Sequence, residues 1–226
     1  MAVIAAGAAY EFVFRHGHTT TPSTSPQAAT LRPTASAGPP PSLGPWGYIA
    51  SRTTDPVPLS LGELFPAQFT SGGMTYSMTV DKARIHCNLA VVGSQLQSAV
   101  GQADCNQAMI ASYLSGNQQL MGTIGVLNLS TAAGAESAGK AAGPAEFVAQ
   151  LPGPAGPTKN LTRGTGIEAA DVQGHYLVLV WAEFANLKAP TTPAQKQEIQ
   201  AFISLLIQKT ANVSLASREV TGKPAT

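Results

Sequence analysis

The sequence predicts an α+β domain in which an antiparallel sheet carries its helices on one face. Strand-length apolar runs recur between residues 74 and 184, and a Gly-Asn turn joins two of them, residues 107–114 and 118–129, as a hairpin. Two segments with helical character lie between the runs, and a third follows the last of them. The chain therefore reads strand, helix, strand, strand, helix, strand, with one strand and one helix added at the C-terminus.

The N-terminal half of this order begins with a short helix, for which Ser60 is a suitable N-cap and which Pro66 ends. Residues 74–85 alternate between apolar and polar side chains, and this period of two predicts a half-buried strand. Apolar residues at helical spacing predict a short amphipathic helix over residues 88–100.

The C-terminal half alternates between regular segments and turns. The Ala-rich residues 131–151 predict a closely packed helix that Pro144 interrupts. Residues 151–166 are so rich in proline and glycine that they predict a long loop. Strands are predicted over residues 166–172 and 175–184, and because the second is apolar on both faces, we expect it to be covered on both sides.

The last helix has the clearest boundary signals. Thr192 is a good N-cap, Pro193 suits the first helical position, and Gln195 could complete a capping box. Its predicted buried stripe consists of Ile199, Phe202, Ile203, Leu206 and Thr210. With it, the element order matches a ferredoxin-like βαββαβ core plus an added C-terminal strand and helix. The alternative is another α+β sheet in which the hairpin over residues 166–184 is central.

Composition divides the chain into an anchor, a linker, a domain and a tail. Residues 1–15 are largely apolar but too short to span a bilayer, and we interpret them as a truncated membrane anchor or signal-anchor remnant; a self-packed segment is the alternative. Residues 16–58 are rich in Thr, Ser and Pro and predict an extended linker. The domain then covers residues 59–215, and residues 216–226 form a flexible tail.

Charge and cysteine content indicate the compartment. Only 11% of the 226 residues are charged and the net charge is +1, a composition typical of secreted or surface-exposed proteins of high-GC bacteria. With no basic run, the sequence predicts no nucleic-acid binding. Cys87 and Cys105 flank the predicted helix at 88–100, and in an exported chain they are expected to form a disulfide. Two buried free thiols in a cytosolic protein are the alternative.

No catalytic, metal or cofactor motif is present, so we assign no catalytic residue, no metal ligand and no cofactor. Asp171, His175 and one of many serines could form a hydrolase triad, but residues that flank a tight turn often have this spacing by chance. Glu183 lies within an apolar strand, where burial would raise its pKa.

Two regions are candidates for binding. If helices cover one face only, Leu177, Leu179 and Trp181 must meet the linker, a second copy or another protein, unless Trp46 and Tyr48 fold back to cover them. We expect those aromatic residues, with Ile49, to dock the end of the linker onto the domain.

The second candidate is the loop at residues 151–166. Its Lys159, Thr162 and Arg163 could receive an anion or an anionic glycan through charge and exposed backbone. Most loops of this composition are simply solvated.

Several short motifs support a family resemblance. Cys105 to Tyr113 (CNQAMIASY) and Gly122 to Asn128 (GTIGVLN) precede an Ala-rich helix, and an apolar segment with a Pro/Thr linker precedes them all. This pattern resembles single-pass, surface-exposed proteins of actinobacteria whose function is uncharacterised, over roughly residues 85–185. The resemblance implies an extracytoplasmic location and membrane anchoring, and it brings no functional residue with it.

The leading hypothesis is therefore a non-enzymatic, membrane-tethered domain that acts by protein-protein contact or self-association in a cell-surface assembly or sensory complex. The second is a small-ligand or glycan binder that uses the loop at 151–166. The third is a hydrolase with an unrecognised active site.

Overall fold

A computed structural model of the chain describes residues 44–225. The predicted anchor at residues 1–15 and most of the predicted linker lie outside this range. Within residues 44–225, none of the helices combines the length and the apolar character that crossing a membrane requires.

The core of the structure is an antiparallel sheet of six strands, in the order β1-β2-β4-β5-β8-β7. These strands are Gln68–Ser71 (β1), Met74–Arg84 (β2), Gln107–Ser115 (β4), Leu120–Asn128 (β5), Ile167–Gln173 (β7) and Tyr176–Phe184 (β8). A separate ribbon pairs Val91–Val92 (β3) with Phe147–Val148 (β6). The predicted class, α+β with an antiparallel sheet, is confirmed.

The strand order differs from the ferredoxin-like prediction. The helix after β2 returns the chain to the neighbouring position, so that β2 and β4 pair directly and antiparallel. In the split β-α-β unit, two parallel strands instead leave a gap that a third one fills. The strand at 176–184, predicted as an addition, lies inside the sheet between β5 and β7. The alternative with a central C-terminal hairpin strand is closer to the structure.

Helices cover both faces of the sheet, whereas the sequence predicted helices on one face. The helices are Leu61–Leu64 (α1), Ser94–Gln102 (α2), Ala132–Gly139 (α3), Pro193–Lys209 (α4) and Ala211–Thr221 (α5). α4 and α5 belong to one apolar core, and α2, α3 and the β3-β6 ribbon belong to the other. This arrangement follows from β8, whose apolar side chains on both faces must be removed from water.

The N-terminus of α4 forms as predicted. The Thr192 hydroxyl accepts a hydrogen bond from the backbone of Gln195, whose side chain returns to the backbone of Thr192, and Pro193 occupies the first turn. The inward side chains of the helix are Ile199, Phe202, Ile203 and Leu206, and Thr210 is buried at its end.

Both predicted boundaries of the domain are wrong, because ordered structure extends beyond them. Gly44–Ala50 forms a 3₁₀ segment that packs on α5, and Ile49 in it is fully buried. The docking of the linker end is thus confirmed, and Trp46 also contacts the core. The predicted tail forms α5 instead, with Arg218 fully buried. The hydrogen-bond partners of Arg218, described below, explain why this charged side chain is buried.

Candidate functional site

The predicted disulfide between Cys87 and Cys105 is present. Cys87 is buried among Val91, Leu96 and Val100 at the start of the helical layer formed by α2. The bond ties the end of β2 to the start of β4 across this layer. Such disulfides persist in oxidising, extracellular-type environments.

The predicted interaction surface on β8 is buried by the chain itself. Leu177, Leu179 and Trp181 are 0%, 1% and 7% exposed. Gly139 at the end of α3 lies against Leu177, and the ring of Phe147 lies 4.5 Å from that of Trp181. These residues therefore form the second core and present no surface to a partner. The prediction failed because it placed every helix on the other face of the sheet.

The predicted ligand loop is folded onto the sheet. Pro157–Asn160 forms one 3₁₀ turn, in which Thr158 is buried, and Leu161, which follows the turn, is buried as well. Lys159, Thr162 and Arg163 are exposed, and they line neither of the two clefts described below. The loop reaches the second of these clefts through Pro157 and not through these three side chains.

A buried charge cluster joins both ends of the described chain. It consists of Asp55, Glu63, His175, Tyr176 and Arg218, and we refer to it as the Arg218 cluster. Arg218 Nη1 donates to Asp55 Oδ1 (2.9 Å), and Nη2 donates to Glu63 Oε2 (2.8 Å). The Tyr176 hydroxyl donates to Asp55 Oδ2 (2.6 Å).

Arg218 also holds the backbone in front of α1. Nη1 donates to the carbonyl oxygen of Val57 (2.7 Å) and Nη2 to that of Pro58 (3.0 Å). Together with the two carboxylates, these carbonyl oxygens accept hydrogen bonds from the guanidinium N–H groups on several sides. The cluster therefore fixes the segment between Ser51 and Phe65 against α5 and β8.

The charges in the cluster support one another. Burial raises the pKa of Asp55, but the neighbouring His175, the hydrogen bond from Tyr176 and the charge of Arg218 outweigh it, so the pKa lies below its ordinary value. The stabilisation from Asp55 is therefore present at neutral pH and is lost as the pH falls through this lowered pKa. Burial also raises the pKa of Tyr176, which stays a hydrogen-bond donor.

His175 belongs to this cluster and not to a hydrolase triad. Its Nδ1 donates to the carbonyl oxygen of Leu129 (2.9 Å), and its Nε2 lies 3.6 Å from Asp55. Asp171 instead accepts a hydrogen bond from Gln173 (3.0 Å). In the described range, no serine hydroxyl forms a hydrogen bond with His175, so the geometry does not assemble the triad.

Glu183 is fully buried where the loop at 151–166 meets β8. Trp181 Nε1 donates to its Oε2 (3.1 Å), while its Oε1 has no partner. Gly164 lies directly on the carboxyl group, since a Cβ there would be 2.8 Å from the carboxyl carbon. Burial raises the pKa of Glu183, and the contacts with Trp181 and Gly164 oppose the rise only in part.

Glu183→Gln is expected to change the pH dependence of stability. Because the pKa of Glu183 is raised in the folded state, protonation of this carboxyl group stabilises the folded wild type. This stabilisation is complete below pH 4.5 and is lost as the pH rises through the folded-state pKa. Relative to the variant, the wild type should lose stability as the pH rises from 4.5 to 8. Urea unfolding of both proteins across this range measures the difference, and parallel pH profiles would contradict it.

Two clefts open side by side at the end of the sheet where β8 stops. The first, of about 390 Å³, lies between the segment after β8 and α4 and is lined by Phe184, Asn186, Lys188, Gln195 and Glu198, among others. The second, of about 500 Å³, shares Phe184 and Asn186 and extends to Gln118, Gln119 and Pro157. Of the residues that the sequence predicted for ligand binding, only the loop at 151–166 reaches this end of the sheet, through Pro157.

Comparisons with known proteins leave the site to be interpreted on its geometry. The chain matches no protein-family model, no curated protein and no solved structure. Between residues 44 and 225, no group of three or more His, Cys, Asp or Glu side chains is placed to hold a metal ion.

Proposed function

We propose that this chain is a non-enzymatic, membrane-tethered extracytoplasmic domain that acts through contact with a second copy of itself in a cell-surface assembly. The disulfide between Cys87 and Cys105 supports the location. The observation that carries the contact is a stripe of valine and small side chains on the outer side of α5.

Of the seven large apolar side chains that are exposed within residues 44–225, four lie on or beside this helix, and the other three are Ile85, Leu89 and Val92 near the disulfide. Val213 and Val220 on α5 are 60% and 76% exposed. Tyr48, 38% exposed, packs against the C-terminal end of α5, and Val57, 40% exposed, flanks the helix next to Arg218. Such a concentration of exposed apolar side chains is a feature of protein-protein contact sites.

The stripe itself has a self-complementary order. Val213, Ala216, Ser217 and Val220 stand at i, i+3, i+4 and i+7, so they lie along one side of the helix, and we name them the α5 stripe. Read in either direction, the order is large, small, small, large. Two antiparallel copies about a two-fold axis would place Val213 of each against Val220 of the other. The small residues at the centre would let the helices approach closely.

Charged substitutions in the stripe are expected to abolish self-association. Sedimentation velocity of the wild type should show a monomer-dimer equilibrium that shifts with concentration, whereas V213E/V220E should remain monomeric, because four buried carboxylates would face each other. I85E/L89E is the matched control, since Ile85 and Leu89 are 76% and 54% exposed near the disulfide and away from α5. A wild type that is monomeric throughout, or a V213E/V220E variant that still dimerises, would reject self-association through this helix.

The two alternatives from the sequence receive less support. Lys159, Thr162 and Arg163, the residues proposed for a ligand site, line neither of the two clefts at the end of the sheet. A hydrolase based on Asp171 and His175 lacks the required contact between them.

A further inference from the structure

The two clefts beside Phe184 adjoin each other at the end of the sheet, and we refer to them together as the Asn186 groove. Phe184 and Asn186 line both parts, and the volumes of about 390 and 500 Å³ fall within the range of about 300–1,000 Å³ found for small-molecule sites. The groove is independent of the α5 stripe and leads beyond the function proposed above.

Amide groups in the groove are oriented by contacts inside the chain. The Asn186 Oδ1 accepts from the backbone N–H of Lys188 (2.9 Å). The Gln195 Oε1 accepts from the backbone N–H groups of Thr191 (2.9 Å) and Thr192 (3.2 Å). Only an amide oxygen can accept these bonds, so the orientation of both amides is fixed.

On the hairpin side, the amide of Asn117 is oriented in the same way, and it in turn orients the amide of Gln119. Asn117 Oδ1 accepts from the backbone N–H of Gln119 (3.1 Å), which leaves Asn117 Nδ2 to donate to Gln119 Oε1 (3.3 Å). The amide nitrogens of Gln119, Asn186 and Gln195 donate to no acceptor in the described part of the chain. Three amide donors thus remain available in the groove.

The backbone around the groove is conformationally unusual. Gln118 has a φ of 57° and Leu187 a φ of 65°, a left-handed region that residues with a side chain rarely adopt. One of them lines the groove and the other separates Asn186 from Lys188. Backbone in sparsely populated regions concentrates at ligand sites, where the surrounding structure enforces it.

The remaining polar groups define the kind of ligand. Lys188 adds a cationic donor and Glu198 an anionic acceptor, and Phe184 supplies an aromatic surface between the two parts. Hydroxyl groups both accept and donate, so they can use the amides, the ammonium and the carboxylate. Lys188 and Glu198 leave the lining of the groove without net charge, which favours a neutral ligand.

We propose that the Asn186 groove binds a neutral saccharide, with the amides of Gln119, Asn186 and Gln195 donating to its hydroxyl oxygens, Glu198 accepting from a hydroxyl, and Phe184 contacting the apolar side of a sugar ring. A sugar presents both polar hydroxyls and apolar C–H faces, which matches this mixture of groups.

NMR spectroscopy of the full chain observes the amides directly. On titration with the trimer of glucose and with the trimer of N-acetylglucosamine, the side-chain NH₂ signals of Gln119, Asn186 and Gln195 are expected to shift saturably with at least one of them. Glucuronate is the anionic comparison and should shift them less. Failure of both neutral trimers to move these signals, or a stronger response to glucuronate, overturns the proposal.

A matched pair of variants assigns the binding to the amide donors. N186D/Q195E keeps the oxygens that accept the internal hydrogen bonds and removes two NH₂ donors, so the affinity for the trimer is expected to fall at least about tenfold. N88D/Q102E adds the same charge at exposed positions outside the groove and should bind like the wild type. Equal affinity for N186D/Q195E and the wild type overturns the proposal.

The V213E/V220E variant should bind the saccharide with the affinity of the wild type. The saccharide test and the self-association test can therefore fail independently.

Discussion

Replacing Arg218 with methionine is expected to destabilise the domain by about 3–5 kcal/mol, a large part of the total stability of a domain of this size. The substitution leaves the carboxylates of Asp55 and Glu63 buried without their cation, and it frees the carbonyl oxygens of Val57 and Pro58. Urea unfolding followed by circular dichroism measures the loss.

Two further variants separate the charge effect from a packing effect. Arg163→Met is the control, because Arg163 is exposed and its substitution should change stability by less than about 0.5 kcal/mol. The triple variant R218M/D55N/E63Q should recover part of the loss, since its two amides carry no charge. A loss of less than about 1 kcal/mol for Arg218→Met would show that the cluster does not hold the N-terminal segment.

Removing the disulfide is expected to cost about 3 kcal/mol. The bond between Cys87 and Cys105 closes a loop around α2, and in the chain-entropy account a loop of this size restricts the unfolded chain by roughly that amount. Urea unfolding of C87A/C105A, and of the wild type with and without dithiothreitol, measures the effect. Reduction should leave C87A/C105A unchanged, and a wild type insensitive to the reductant would contradict the expectation.

The sequence predicted the elements whose signals are local. The N-terminus of α4 depends on Thr192, Pro193 and Gln195, which are adjacent in the chain, and it forms as expected. The β4-β5 hairpin likewise follows from apolar runs on both sides of a Gly-Asn turn. Capping and turn chemistry act over a few residues, so a single sequence contains enough information to find them.

Which strands pair in the sheet could not be predicted from such local signals. The order strand, helix, strand allows either a gap or direct contact between β2 and β4, and the choice depends on the whole fold. The wrong prediction that helices cover only one face of the sheet followed from the wrong strand order. Leu177, Leu179 and Trp181 were then assigned to a surface, although α3 and Phe147 cover them.

The candidate sites were harder still, because their residues are distant in sequence. Arg218 meets Asp55 and Glu63 more than 150 positions away, and a lone arginine near the C-terminus gives no sign of burial. The one usable signal was the run of Ser214, Leu215 and Arg218 on one side of α5, which a helical reading of the tail would have revealed. The amides of the Asn186 groove carry no such pattern.

Oxidative cross-linking through α5 tests the central claim, that two copies meet through the α5 stripe, most directly. Ala216 is exposed near the centre of the stripe, so cysteines introduced there should lie close to the two-fold axis of the dimer. We predict that A216C forms a covalent dimer under mild oxidation much faster than A201C, whose cysteine is also exposed, on α4. Cross-linking of A216C no faster than that of A201C would contradict the account.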